Sequence, residues 1–335
     1  MNYVSTGGLP SRDDVQALVV EAYERFRSDR SGERSQVYPA LARAPAGLFG
    51  ICVAAASGEV YEAGDDDVPF SIMSVAKPFV FALVCAALGA EETRRRIGVN
   101  ATGLPFNSLT AVEQSPDGRT NPMVNPGAIA TTSFVPGATP EEKWRFVCDG
   151  LERFAGRSLA LDEEMYASAS ATNHRNRGIA RLLQDLGLLG ADPDEAVDLY
   201  TRQSSLSVTA KDLAVMGATL ADGGVNPLTR VRAVDAETCR HTLAVMASAG
   251  LYETSGDWLY DVGLPGKSGI GGGIVTVSPG KGGIGTFAPR LDGAGNSVKG
   301  GLVARFLAEE LGLDVFVSEP VGPVRAGQQD PSSSR

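Results

Sequence analysis

Strand-like runs occur near both ends of this chain, and a helical period fills the stretch between them. Near the start, 47–55 and 59–63 alternate on either side of Ser57-Gly58, which predicts a hairpin. Near the far end, 271–277 and 283–287 read as strands around Ser278-Pro279-Gly280-Lys281-Gly282. From about 78 to 260, apolar residues recur at helical spacing over 142–154, 179–189, 194–204, 209–222 and 235–249, with irregular stretches at 100–107 and 115–127. Further helices are expected at about 11–28, where Ser11 precedes Asp13-Asp14 and Val15, Leu18, Val19, Ala22 and Phe26 share a face, and at 297–311. Strands segregated from helices in this way indicate an α+β chain, with one antiparallel sheet built from both ends and a large helical insertion.

A chain of 335 residues that is 43% hydrophobic can bury one large core or two intimately joined ones. The expectation is a single domain over 1–323, with its sheet part at about 11–75 and 260–315 and its helical part at 76–259. The segment 324–335, with Gly, Gln, Asp, Pro and three serines, reads as a disordered tail. A formal net charge of −10 argues against nucleic acid or an anionic membrane as partner, since both demand a basic surface. Cys52, Cys85, Cys148 and Cys239 lie far apart without a Cys-x-x-Cys pair and read as buried reduced thiols. The first residues lack the charged start and apolar core of a signal peptide, and the apolar run 79–90 is too short to span a bilayer. A cytoplasmic protein is the expectation. With only His174 and His241 there is no histidine cluster for a metal, and His241 reads as a surface or capping residue.

The segment Pro69-Phe70-Ser71-Ile72-Met73-Ser74-Val75-Ala76-Lys77-Pro78-Phe79 sets Ser74 and Lys77 three residues apart inside an apolar run that continues through Phe79, Val80, Phe81, Leu83 and Val84. On a helix that spacing stacks the two side chains on one face. A serine hydroxyl is a poor nucleophile until a base takes its proton, and a lysine desolvated among apolar neighbours has a lowered pKa and can be that base. A second Ser-x-x-Lys, Ser278 to Lys281, sits on a Pro-Gly turn where no helix can bring its side chains together. Two phosphate-loop look-alikes fail on context. Gly280-Lys281-Gly282-Gly283-Ile284-Gly285 joins two strands and opens no helix, so its glycines are expected to serve a hairpin. Gly266-Lys267-Ser268 has Asp261 where a Walker loop needs its first glycine. Lys267-Ser268-Gly269 has another reading: in serine enzymes that use Ser-x-x-Lys, such a triplet on an edge strand lines the same cleft, gives N–H groups to an oxyanion and places a cation near the substrate.

Further motifs follow in order. Val68-Pro69-Phe70-Ser71-Ile72 leads into Ser74 and Lys77; then come Asn121-Pro122-Met123-Val124-Asn125, Arg175-Asn176, Asp198-Leu199-Tyr200 and Gly223-Gly224-Val225-Asn226-Pro227. Gly250-Leu251-Tyr252, Val262-Gly263-Leu264-Pro265-Gly266-Lys267-Ser268-Gly269 and Gly295-Asn296-Ser297-Val298-Lys299-Gly300 complete the set. In these motifs, from about 11 to 310, the chain resembles the serine-dependent glutaminases, which share the β-lactamase and penicillin-binding-protein (transpeptidase) fold. The resemblance implies hydrolysis of glutamine to glutamate and ammonia through an ester on Ser74, with Lys77 as base partner, Tyr252 as a proton-moving phenol and Tyr200 beside it. It likens Asn125 and Asn176 to the amides that hold the amino acid end of the substrate, and the N–H groups of Ser74 and Ile270 to an oxyanion hole. Ser268 and Lys267 become cleft residues by the same likeness. A homodimer or homotetramer is implied, and no cofactor, because a hydroxyl, an amine, a phenol and oriented amides suffice.

Departures cluster at the substrate end. A glutamate that the family sets seven residues before the asparagine of Arg-Asn, against the substrate's α-ammonium, is Ala169 here. The tyrosine of Tyr-x-Pro-x-Leu is Val37, and the glutamine before the nucleophile is Met73. Gly-Asp before Arg-Asn becomes Asn173-His174, which puts His174 at the pocket rim or in a solvent-facing loop. Three outcomes stand open: a glutaminase in which Glu163, Glu164 or another acid substitutes, a related amidase whose small-molecule substrate lacks a free α-amino group, or a non-catalytic binding relative.

Overall fold

A computed structural model describes residues 7–318, so the expected tail at 324–335 lies outside the described residues. Its central element is an antiparallel sheet of five strands: β1 (Gly50–Ala55), β2 (Val60–Gly64), β3 (Gly266–Ser268), β4 (Gly273–Ser278) and β5 (Gly282–Phe287), in the order β2-β1-β5-β4-β3. Both chain ends therefore supply the sheet, and Lys267-Ser268 stands on its edge. The helices that support the site are α1 (Arg12–Phe26), α2 (Ala76–Leu88), α3 (Asn125–Ser133), α4 (Glu163–Thr172), α5 (His174–Asp185), α6 (Pro193–Ser204), α7 (Ala210–Ala221) and α8 (Val298–Glu310).

Every residue of β1 is buried because the sheet is covered on both faces. Ile51 and Val53 join Ile274 and Ile284 against α1 and α8, whose Val15, Val19, Val303 and Leu307 fill that side. Cys52 and Ala54 point the other way, toward Ala214 and Ala218 of α7. Cys52 lies opposite Gly285 across the ladder. A Cβ on Gly285 would come within 2.0 Å of the Ala210 carbonyl oxygen, so this strand is glycine-rich because α7 lies directly on its backbone. The glycines of 280–285 thus divide: Gly280, with φ +77, makes the expected hairpin turn, and Gly283 and Gly285 make room for a helix.

Capping agrees with the sequence. Ser11 accepts from the Asp14 amide at the start of α1, and Thr209 with Asp212 forms a reciprocal capping box on α7. The second large core gathers on the α7 side around α2, where Phe79 meets Phe154 edge-on at 5.1 Å between ring centroids. Of the four cysteines, all free, Cys52, Cys85 and Cys239 are buried and Cys148 is half-buried. Among the described residues no helix is long and apolar enough to cross a membrane. His241 sits half-exposed on the helix Ala236–Ala249, 3.7 Å from Glu237.

Candidate active site

Ser74 occupies a single 3₁₀ turn, Met73–Val75, that runs directly into α2, so Lys77 falls on the first turn of that helix. The turn is tight: Met73 adopts φ +49, an uncommon conformation for a side-chain-bearing residue. Gly269, just past β3, packs against it so closely that a Cβ there would lie 3.0 Å from the Ile72 carbonyl oxygen and 3.2 Å from the Ser74 nitrogen. Sheet edge and nucleophile turn therefore touch backbone to backbone, which brings Ile270 to the same pocket as Ser74. Neither the Ser74 nor the Ile270 N–H appears as a donor to a protein acceptor among the described residues.

Lys77 is buried, and its Nζ donates to Asn125 Oδ1 at 2.7 Å and to the Met123 carbonyl at 3.4 Å. Its acceptor is thus the asparagine, not the Ser74 hydroxyl. No carboxylate accompanies the amine, and burial pushes it down to about 7. The Nζ stands 5.9 Å from the ring centroids of both Phe106 and Tyr200.

From Asn125 a relay of side-chain amides runs outward. Asn125 Oδ1 also accepts from the Tyr200 hydroxyl at 3.1 Å, while its Nδ2 donates to Asn176 Oδ1 at 2.9 Å. Asn176 Nδ2 then donates to Asn173 Oδ1 at 2.6 Å, and Asn173 Nδ2 to Thr201 Oγ1 at 2.8 Å. One direction of donation runs through α3, α5 and α6, so each amide is held in a single orientation. Asn173, which the sequence shows only as a departure from the family pattern, and Thr201 hold the two amides from behind.

Tyr252 begins the 3₁₀ turn Tyr252–Thr254 with φ +58, and its hydroxyl donates to the Ser268 carbonyl at 3.1 Å. Burial pushes this phenol up to about 12 and raises Tyr200 still further, with Ser74 hydrogen bonding working in the opposite direction at both. Strained backbone thus occurs at both Met73 and Tyr252, on either side of the serine.

The pocket that opens over Ser74 has a cavity volume of ≈ 100 Å³ and is lined by Asn125, Asn176, Tyr200, Ile270, Ala169 and Val37 among others. Ala169 forms a buried wall, and Val37, 53% exposed, stands at the mouth beside Met73 and Tyr38. Lys267 and Ser268 are not brought to this lining. Lys267 is fully buried, donates to the carbonyls of Gly250 at 2.8 Å and Ser268 at 2.7 Å, and lies 4.2 Å over the Tyr252 ring. Burial and the neighbouring Lys77 hold its amine well below the ordinary lysine range, so it supports Tyr252 from behind and does not offer a cation to the cleft. The Ser268 hydroxyl turns away to Asn296. Of the acids considered as substitutes, Glu164 pairs with Arg43 and neither it nor Glu163 lines the pocket. His174 is exposed at the start of α5 and also stays outside the lining. A wider surface groove of ≈ 940 Å³ between Glu91 and Thr120 contains none of the candidate residues.

Comparison with known proteins identifies the family. Residues 32–316 match the family model described as Glutaminase. Over 320 residues the chain is 68% identical to "Glutaminase 2" of Yersinia pestis, covering 96% of this chain and 94% of that protein. A glutaminase of Colwellia psychrerythraea is 44% identical over 307 residues, covering 92% and 99%. Among solved structures, the probable glutaminase ybaS superposes with a TM-score of 0.91 at 42% identity, covering 92% of this chain and 100% of that one. The Bacillus subtilis glutaminase YbgJ, in its covalent complex with 5-oxo-L-norleucine formed by reaction with 6-diazo-5-oxo-L-norleucine, superposes at 0.82 with 30% identity, covering 90% and 100%. The β-lactamase-like α+β fold expected from the sequence is the one observed.

Proposed function

Because this chain belongs to the glutaminase family, we propose that it hydrolyses the side-chain amide of glutamine to glutamate and ammonia through an ester formed on Ser74. One observation carries the reading: Ser74 opens onto the pocket while a lysine a turn further along the same helix is buried and poised to be neutral near pH 7. In this reading the Lys77 amine takes the Ser74 proton as Oγ attacks the carboxamide carbon. The carbonyl oxygen becomes an oxyanion facing the N–H groups of Ser74 and Ile270. The proton passes to the leaving nitrogen, the C–N bond breaks and ammonia departs. Water then attacks the ester, gives its proton back through the amine and frees the acid and the serine hydroxyl. Tyr252, protonated and aimed at the Ser268 carbonyl, lies beside this path as a phenol able to pass a proton.

YbgJ's covalent adduct with a diazoketone supports a nucleophile in this family pocket. Following ammonia release from carboxamides tests the proposal: Ser74→Ala is expected to lose about a thousandfold or more in kcat. A Ser74→Ala protein that turns over at the native rate contradicts it. A related amidase acting on a different carboxamide is the second reading, favoured by a lining without any acidic side chain. The four free thiols fit a reducing, cytoplasmic setting. A homodimer or homotetramer remains the expectation carried by the family, to be read by light scattering.

A further inference from the structure

The pocket offers hydrogen-bond donors and a cation but no carboxylate. Asn125 Oδ1 already accepts from Lys77 and from Tyr200, which fills both of its lone pairs. Asn176 Oδ1 accepts from Asn125, and Asn173 Oδ1 from Asn176, which leaves one lone pair on each of these neutral oxygens and a second hydrogen on each amide nitrogen. The Thr201 hydroxyl accepts from Asn173 and donates to the Val197 carbonyl. No aspartate or glutamate lines the cavity. Its one charged lining residue is Arg175, whose Nε donates to the Asn107 carbonyl at 2.9 Å and which has no carboxylate partner among the described residues.

A substrate carboxylate fits this surface, since it asks for donors and for a cation. An ammonium finds no carboxylate in the lining, only neutral amide and hydroxyl oxygens, so its charge is left without a partner. An amide or acyl carbonyl in the ammonium's place meets the spare amide hydrogens instead. Ala169 and Val37 add apolar surface to the lining, and Val37 reaches solvent, so an acyl chain has room to leave the pocket.

We propose that this site selects carboxamides that carry a carboxylate and an acylated or absent α-amino group over free glutamine. The inference rests on the reading of Ser74 as the nucleophile of an amidohydrolase, and the experiment separates the two. Ammonia release is measured at pH 8 from L-glutamine, N-acetyl-L-glutamine and 4-carbamoylbutanoate, with Ser74→Ala as blank. The expected result is a kcat/KM at least tenfold higher for one of the two non-zwitterionic amides than for glutamine. Glutamine as the best of the three overturns the selectivity and leaves the amidohydrolase standing. No release from any of them overturns the amidohydrolase and the selectivity with it. Ala169→Glu should move the ratio at least tenfold toward glutamine. Since Ala169 is buried, Thr172→Glu at the exposed end of α4 gives a second carboxylate at the lining. An unmoved ratio in a folded Ala169→Glu and in Thr172→Glu together overturns the proposal.

Discussion

At the scale of single residues, the proposed chemistry turns on an amine whose basicity is lowered by burial and not by a neighbouring charge. For Lys77 the folded value is about 7 against an ordinary 10.5, so the base form accumulates as pH rises through 7. A kcat/KM profile should therefore climb about tenfold per pH unit below 7 and level off above it. A profile flat from pH 5 to 8 speaks against Lys77 as base. The same shift acts on stability. Between about 7 and 10.5 the unfolded chain binds more protons than the folded one at this position, so its contribution to unfolding free energy rises with pH across that window. Lys77→Met should accordingly be inactive yet more stable, by on the order of 1–4 kcal/mol at pH 7, with the gain gone above pH 10.5. Thermal melts at pH 7 and 10 check the sign. Ser74 and Lys77 were legible because two reactive side chains at helical spacing stand out in an apolar run. Asn173 and Thr201 were not, since an asparagine or threonine on a helix carries no mark of the partner it will hold across space. The cleft role expected of Lys267 failed for a reason sequence does not display: its amine is closed off by two backbone carbonyls and a tyrosine ring.

At the scale of elements, α7 meets the sheet across a stripe of small residues. Cys52 and Ala54 on β1, Gly283 and Gly285 on β5, and Ala214, Gly217 and Ala218 on α7 let a helix rest on the sheet without large side chains between them. Gly285→Val drives a branched side chain at the Ala210 carbonyl and should cost roughly 1–3 kcal/mol, seen as a lowered urea midpoint with an unchanged slope. A neutral result contradicts the packing described. Amphipathic elements such as α6 and the helix Pro140–Ala155 were readable to within a few residues. The helix α3 was not, since all nine of its residues are buried and no polar face gives it a period. α4 is rich in Ala, Ser and Thr, whose weak contrast hid it as well.

At the scale of the whole molecule, strands far apart in the chain are neighbours in space: β1 pairs with β5 along its whole length, Gly50 to Ala55 against Phe287 to Gly282. The helical residues between them are thereby tied off at their base, and the nucleophile turn is clamped by the returning sheet edge at Gly269. A chain ending at residue 265 lacks β3, β4 and β5, leaving the apolar faces of β1 and α7 uncovered. Such a fragment should show no cooperative urea transition and no near-ultraviolet circular dichroism, and a sharply melting fragment contradicts this account. Segregated strand and helix patterns made this architecture legible early, because strands at both ends with helices between admit few arrangements of one sheet.

The central claim, that the Ser74 oxygen forms the covalent bond to substrate, is tested most directly by labelling the intact enzyme with a diazoketone carboxylic acid shaped like the substrate, then mapping the adduct by mass spectrometry. The account predicts one adduct per chain on the peptide carrying Ser74, none in Ser74→Ala, and labelling in step with loss of ammonia release. An adduct on another residue, or complete inactivation with Ser74 unmodified, contradicts it.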